Sequence, residues 1–191
     1  MTDPFSFLAS DHAEVKHLLT QLEMGAMRQG SATPDQLARR KRLAEQLVIE
    51  ESRHEAIEEM HFWPAVREHL ASGDDMADTA IAQEELGKEM LGKLDKLDAG
   101  TPEFEKLLAD FARAARTHIN YEEIHVWPRF RIALTREQAD ELGSKLEAAR
   151  KTAPTRPHPR APASPGVLKA TGPVAAAVDK ARDKISHRGT D

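Results

Sequence analysis

The sequence predicts an all-α protein: an up-down-up-down four-helix bundle with a short fifth helix and a disordered, proline-rich C-terminal tail. Three observations carry this prediction. Asp3-Pro4, Thr33-Pro34 and Thr101-Pro102 each set a capping oxygen before a proline at the first helical position, where the missing N–H costs nothing. Gly30, the Gly73-Asp74-Asp75 segment and Gly100 break the helices at intervals that leave connections of two to six residues, and such short connections make neighbouring helices antiparallel. Strand signals are absent.

Taken in order, the first helix spans residues 4–29 and the second 34–71, the latter starting with the Thr33 cap. The third covers 75–98, with an apolar face set by Met90, Leu94 and Leu97, and the fourth covers 102–133. A fifth helix begins at Thr135, where Gln138 completes a capping box, and ends near Lys151. Residues 1–151 thus form one domain. From Thr152 the composition changes: Pro154, Pro157, Pro159, Pro162 and Pro165 fall within twelve residues. That spacing suits an extended linker that stays off the core, so 152–191 is expected to be a flexible Pro/Arg-rich tail, with a short helix over Val174 to Ile185.

Composition narrows the chemistry. There is no cysteine among the 191 residues, which excludes disulfides, thiolate catalysis and iron–sulfur clusters, so any redox chemistry must come from a metal. No leader-like N-terminus and no run of roughly 18 apolar residues is present, which predicts a cytoplasmic protein without a transmembrane segment. The net charge of −5 divides into +6 for residues 150–191 and −11 for the rest, and an acidic body argues against nucleic acid as a partner.

An eleven-residue pattern occurs twice, sixty-four residues apart: His54-Glu-Ala-Ile-Glu58-Glu59-Met-His61-Phe-Trp63-Pro64 and His118-Ile-Asn-Tyr-Glu122-Glu123-Ile-His125-Val-Trp127-Pro128. Helical geometry lines up each histidine with the glutamate at +4 and the histidine at +7, so two helices each present a column of nitrogen and oxygen donors. Imidazole with carboxylate suits first-row transition ions such as iron, manganese or zinc. Pro64 and Pro128, ten residues past each leading histidine, are expected to bend their helices and free a carbonyl one turn back. A shift of 72 lays the first helix on the third, pairing Leu18, Leu19 and Leu22 with Met90, Leu91 and Leu94, Lys16 with Lys88, and His12 with Glu84. The bundle therefore reads as two helical hairpins, one carrying His12, His54 and Glu58 and the other Glu84, His118 and Glu122, about a pseudo-twofold axis.

With the Asp11-His12 pair between Leu8 and Val15, and two His-x-x-x-Glu-Glu motifs followed by an aromatic-Pro pair, residues 5–133 resemble the hemerythrin-like, HHE cation-binding proteins. The resemblance implies a non-haem centre of two iron ions, oxo- or hydroxo-bridged, with manganese or zinc as alternatives. In it His12, His54 and His118 supply nitrogens, and Glu58 and Glu122 bridge the irons. The chain departs from the family in the third helix, where no histidine occurs between His69 and His118. Glu84 is the substitute given by the hairpin alignment, Gln83 lies nearer the centre of the apolar face, and the extra histidines His61 and His125 are further candidate ligands or orienting groups. Gly87, one turn beyond, is expected to leave room for an ion or small ligand. Trp63 and Trp127 read as core closures, and Glu59 and Glu123 as groups off the ligand face, solvated or paired with basic neighbours.

Exchanging a nitrogen donor for an oxyanion makes such a centre harder and favours oxidised ions over reversible oxygen carriage. The implied partners are small molecules: hydrogen peroxide, oxygen or nitric oxide. The expected role is catalase-like or related oxidant consumption in oxidative or nitrosative stress. The alternatives are an oxygen- or iron-sensing module without turnover and a reversible oxygen binder.

Overall fold

A computed structural model of the protein describes residues 2–25, 32–158 and 165–186, the side chains of 165–173 and 185–186 excepted. The elements are α1 (Pro4–Met24), α2 (Pro34–Ile57), a π-helical turn π1 (Glu58–Phe62), α3 (Trp63–His69), α4 (Gly73–Leu94), α5 (Pro102–Tyr121), a second such turn π2 (Glu122–Val126), α6 (Trp127–Ala133), α7 (Arg136–Arg150) and α8 (Pro165–Ser186). Helix α1 packs on α2 and α5, and α4 packs on the same two, closing the four-helix ring. The expected caps are in place. Asp3 accepts from the Ser6 N–H at 2.8 Å and Thr101 from the Phe104 N–H at 3.2 Å, while Thr33/Gln36 and Thr135/Gln138 form capping boxes. Helix α1 ends at Met24, and the Gly30 break lies outside the described residues.

The proline that closes each motif follows a change in the hydrogen-bond ladder. Pro64 and Pro128 have no N–H to donate to the carbonyl four residues back, and the ladder lengthens instead: Trp63 N–H reaches Glu58 O, and Trp127 N–H reaches Glu122 O. The two π turns therefore begin at Glu58 and Glu122, the glutamates of the repeated motif.

Two apolar clusters fill the interior. One gathers Phe5, Leu8, Phe62, Trp63, Trp127 and Phe130; the other gathers Val15, Leu19, Leu47, Leu91, Phe104 and Phe111. His12 lies between Leu8 and Val15 in sequence, and so at the boundary between the two clusters. Helix α7 lies on α1 and α2, so close to the N-terminus that a Cβ on Gly143 would stand 1.8 Å from the Thr2 carbonyl oxygen. Arg40 is buried: it bonds Glu105 and the Leu22 carbonyl and lies 5.7 Å above the Phe104 ring.

The segment after α7 differs from the detached linker that its prolines suggest. Ala153 joins the first apolar cluster, and Pro154 and Thr155 are buried. Helix α8 packs against π1 and is anchored by polar contacts: Asp179 accepts the backbone N–H groups of Thr155 and Arg156 at 3.2 Å, and Asp183 accepts from the Arg156 side chain at 2.9 Å. An extended chain can lie on a folded body when its free N–H groups meet carboxylates, which a reading of composition alone does not capture. Residues 159–164 and 187–191, the middle and end of the expected tail, lie outside the described residues. Among the described residues no helix is long and apolar enough to cross a membrane.

Candidate metal centre

Six of the expected ligands meet in the interior as two overlapping groups. His12, His54, Glu58 and Glu122 offer donor atoms that all lie within 4.8 Å of one another, and so do Glu58, Glu84, His118 and Glu122. All six are buried, and Glu58 and Glu122, common to both groups, are wholly so. His12 and His54 come from α1 and α2, Glu84 and His118 from α4 and α5, and the two shared carboxylates from the first residues of π1 and π2.

The donors converge. His12 Nε2 lies 3.1 Å from His54 Nε2 and 3.0 Å from Glu122 Oε2, while His118 Nε2 lies 3.3 Å from Glu122 Oε1. Neither oxygen of Glu58 accepts a hydrogen bond, although His54 Nε2 is 3.2 Å away, and neither Glu84 Oε2 nor His118 Nε2 has a hydrogen-bond partner. Buried carboxylates without donors are costly by several kcal/mol each, roughly, unless a cation compensates them. Three imidazole nitrogens and three carboxylates at this spacing are a donor set that fits two first-row transition ions, with Glu58 and Glu122 shared between them.

The far edges of the His12 and His118 rings meet hydrogen-bonding acceptors, whereas His54 Nδ1 has no hydrogen-bond partner and makes only a longer contact with a carboxylate. His12 Nδ1 faces Glu123 Oε1 at 2.9 Å, His54 Nδ1 faces Asp11 Oδ2 at 3.5 Å, and His118 Nδ1 faces Gln83 Oε1 at 3.1 Å. Glu123 and Gln83 favour the tautomers of His12 and His118 with hydrogen on Nδ1, which turns the Nε2 lone pairs toward the centre, and the nearby Asp11 carboxylate biases His54 the same way electrostatically. Both tryptophans take part, beyond closing the core. Trp127 stacks on His12 with ring centroids 4.9 Å apart and planes 9° apart, and Trp63 Nε1 donates to Glu84 Oε1.

Electrostatics follow from burial. Burial, with neighbouring carboxylates, pushes Glu58 and Glu84 well above the usual carboxylate range. Burial also pushes Glu122 upward, but His118, His12 and His54 outweigh it and hold the carboxyl low. Burial lowers His54 and His118; it lowers His12 too, yet Glu122 and Glu123 reverse the sign and raise it. Two further acids lie deep on α2. Glu51 is pushed up to about 7 by burial, with His12 opposing and Glu122 and Asp11 adding, and Glu55 is raised by burial and by Glu51.

Some expectations differ. His61 and His125 are in neither group: His125 is exposed with its ring 5.8 Å from Tyr121, and His61 lines a surface cleft with Pro64 and Glu68. The π turns add a residue to the helical repeat, so a position seven beyond the leading histidine no longer shares its face. Gln83 backs His118 and lies in neither donor group, whereas Glu84 lies in one. Gly87 leaves no open pocket, because a Cβ there would stand 3.1 Å from Glu55 Oε1. The orienting groups were partly missed. Glu123 does pair with a basic neighbour, Lys16 at 2.8 Å, but it also holds His12. The clue was present in the i+1 position of Glu123 beside a ligand.

The matched family model is the hemerythrin HHE cation-binding domain, over residues 3–130. The chain belongs to the hemerythrin HHE cation-binding family. It is 33% identical over 141 residues to an uncharacterised hemerythrin-like protein of Schizosaccharomyces pombe, covering 73% of this chain and 70% of the relative. Among solved structures it resembles a hemerythrin HHE cation-binding domain-containing protein from Mycobacterium kansasii, with a TM-score of 0.61 and 21% identity over 79% of this chain and 86% of the other. At that identity the likeness is one of fold. In this member of the HHE family the histidine on α1 and the glutamate on α4 occupy matching places.

Proposed function

We propose that the protein is a non-haem di-iron protein that consumes small oxidants, hydrogen peroxide before oxygen or nitric oxide, in defence against oxidative or nitrosative stress. The observation that supports this reading is the unequal pair of donor groups sharing Glu58 and Glu122, one with two imidazoles and the other with one imidazole and the extra carboxylate of Glu84. Two redox-active ions held together there would supply two-electron chemistry toward peroxide. The oxygen-rich half favours harder, oxidised ions, which disfavours reversible oxygen carriage.

The chain's own part is positioning and exclusion. Asp11, Glu123 and Gln83 fix ring tautomers, Trp63 fixes Glu84, and Phe5, Phe62 and Phe130 pack edge-on to one another beside the site and keep bulk water from that end of the bundle. The test is elemental analysis of the purified protein followed by peroxide loss measured with an oxygen electrode. About two irons per chain, as in bundle di-iron centres, with catalytic peroxide consumption is the expected result. Zinc or no metal overturns the oxidant reading. Stoichiometric binding without turnover turns the assignment to an oxygen or iron sensor, a second reading favoured by the packing of α8 on π1, the turn that carries Glu58.

A further inference from the structure

We infer that Arg150, the last residue of α7 and outside the family-matched region, is a positioning residue of the His12/His54 half of the centre. The inference rests on the metal-binding reading above and extends it to a helix that reading does not use. The guanidinium spans two carboxylates: Nη1 donates to Asp11 Oδ2 at 2.7 Å and Nη2 to Glu50 Oε2 at 2.5 Å. Asp11 Oδ2 is the same oxygen that faces His54 Nδ1 at 3.5 Å. Asp11 lies on α1, Glu50 and His54 lie on α2, and Arg150 ends α7, so one side chain ties three helices at the back of one ligand.

The arrangement has a direction. Asp11 and Glu50 are both only 8% exposed, so neither carboxylate can turn to water in place of Arg150 without moving its helix. Glu50 is held separately by Gln46 at 2.8 Å, so the Glu50 arm anchors the guanidinium while the Asp11 arm sets the carboxylate against the imidazole. Docking of α7 is itself fixed midway along the helix, where Gly143 lies against the Thr2 carbonyl. The strength and geometry of a bidentate guanidinium make arginine suited to this task where lysine supplies only a point charge. His118 lacks any such support: its partner Gln83 is a neutral amide, and no guanidinium hydrogen bond to Gln83 occurs among the described residues.

The experiment is a cobalt(II) titration of the metal-free full-length protein, read by visible absorption and by bound cobalt per chain. In Arg150→Met the affinity for one of two ions falls roughly 10- to 100-fold, as loss of a group behind a metal ligand typically does, while the other ion and the helical content are retained. Arg150→Lys shows a smaller loss of the same kind, with a smaller change in the same absorption band. In an Asp11→Asn background, Arg150→Met adds little further loss, because both act through one imidazole edge. If the Met variant fails to fold, the Lys variant and Asp11→Asn decide: each must weaken one ion selectively and perturb the same absorption band. Equal weakening of both ions, or none, overturns the inference while leaving the metal centre standing. Wild-type protein that takes up no cobalt overturns the metal reading, and this inference with it.

Discussion

The two helical hairpins share one frame and differ in what they place inside it. With α1 laid on α4 by a shift of 72 and the motifs on each other by 64, the contacts map in pairs. Lys16 bonds Glu123, and Lys88 bonds Glu59. Asp11 faces His54, and Gln83 faces His118. Trp127 stacks on His12, while Trp63 donates to Glu84. The frame is thus a pseudo-twofold, and the differences that bear on the donors include His12 against Glu84, Asp11 against Gln83, the buried Val15 and Ile119 against Gly87 and Glu55, and the buried Glu51 against Ala115. The α1/α2 half is nitrogen-rich and backed by carboxylates. The other half is oxygen-rich and backed by an amide, and each half has a further buried acid alongside, Glu51 by His12 and Glu55 by Glu84. Similar frames therefore do not make equivalent donor sets.

The largest break in that comparison comes from the shared carboxylates. Glu58→Ala should remove both ions, because Glu58 belongs to both donor groups, whereas His54→Ala and His118→Ala should each remove one, from opposite halves. Metal counted per chain in the three variants checks this. A loaded native state is stabilised by linkage, about 4 kcal/mol at a thousandfold excess over Kd, so all three should lower the thermal midpoint of the metal-loaded protein. Full retention of both ions by His54→Ala and His118→Ala would end the assignment.

Next in size is the exchange at α4. Glu84→Ala should weaken one ion more than the other, and Glu84→His should make the two halves alike and bring their affinities closer together. Calorimetric titration resolves the two binding steps; unchanged affinities in both variants would remove Glu84 from the donor set. Gln83→Asp copies the Asp11 arrangement behind His118 and should strengthen that half alone.

Much of this was legible in the sequence because it depends on period and repetition. The caps at Asp3, Thr33, Thr101 and Thr135 fixed helix starts through local chemistry, and the shared spacing of the two motifs put His54, Glu58, His118 and Glu122 on inward faces. The hairpin alignment led to Glu84. The π turns were not legible, since the proline announces a lost hydrogen bond but not how the ladder closes over it; His61 and His125 were misplaced for that reason. Arg150 was not legible at all. Its role depends on how α7 docks across α1 and α2, a long-range arrangement that no local pattern encodes.

The buried acids give a prediction in pH. Glu51, Glu55, Glu58 and Glu84 are all raised in the folded protein, so the unfolded chain releases their protons first. Raised folded values mean that stability is greatest below the unfolded value and falls as pH rises toward the folded one. For Glu51 the window runs from the ordinary 4.5 to about 7. In metal-free protein the four raised acids therefore withdraw stability between those limits, by up to about 3 kcal/mol from Glu51 alone, against a smaller opposing gain from His54 and His118, whose depressed values add stability as pH rises toward 6.5. Glu51→Gln should flatten the profile there in urea melts. Metal loading reverses the trend, because ligands bind deprotonated. A metal-free profile unchanged by Glu51→Gln would mean that Glu51 is not raised in the folded protein.

The smallest expected effect tests whether α8 belongs to the comparison at all. Helix α8 packs on π1, and among the described residues it has no counterpart against π2, so it adds to the asymmetry from outside. Its anchors are the bonds of Thr155 and Arg156 to Asp179 and Asp183, and the His158 ring 3.1 Å from Asp179. Deleting residues 159–191 removes both aspartates but keeps Ala153 in the core. Six donors remain in place, so the truncated protein should bind metal in unchanged stoichiometry. Its metal-free stability should fall by roughly 1–2 kcal/mol for the net loss of a few charge-assisted hydrogen bonds, measured by urea denaturation. Loss of one ion on truncation would show that α8 steadies the turn carrying Glu58, and would link the tail directly to occupancy of the centre.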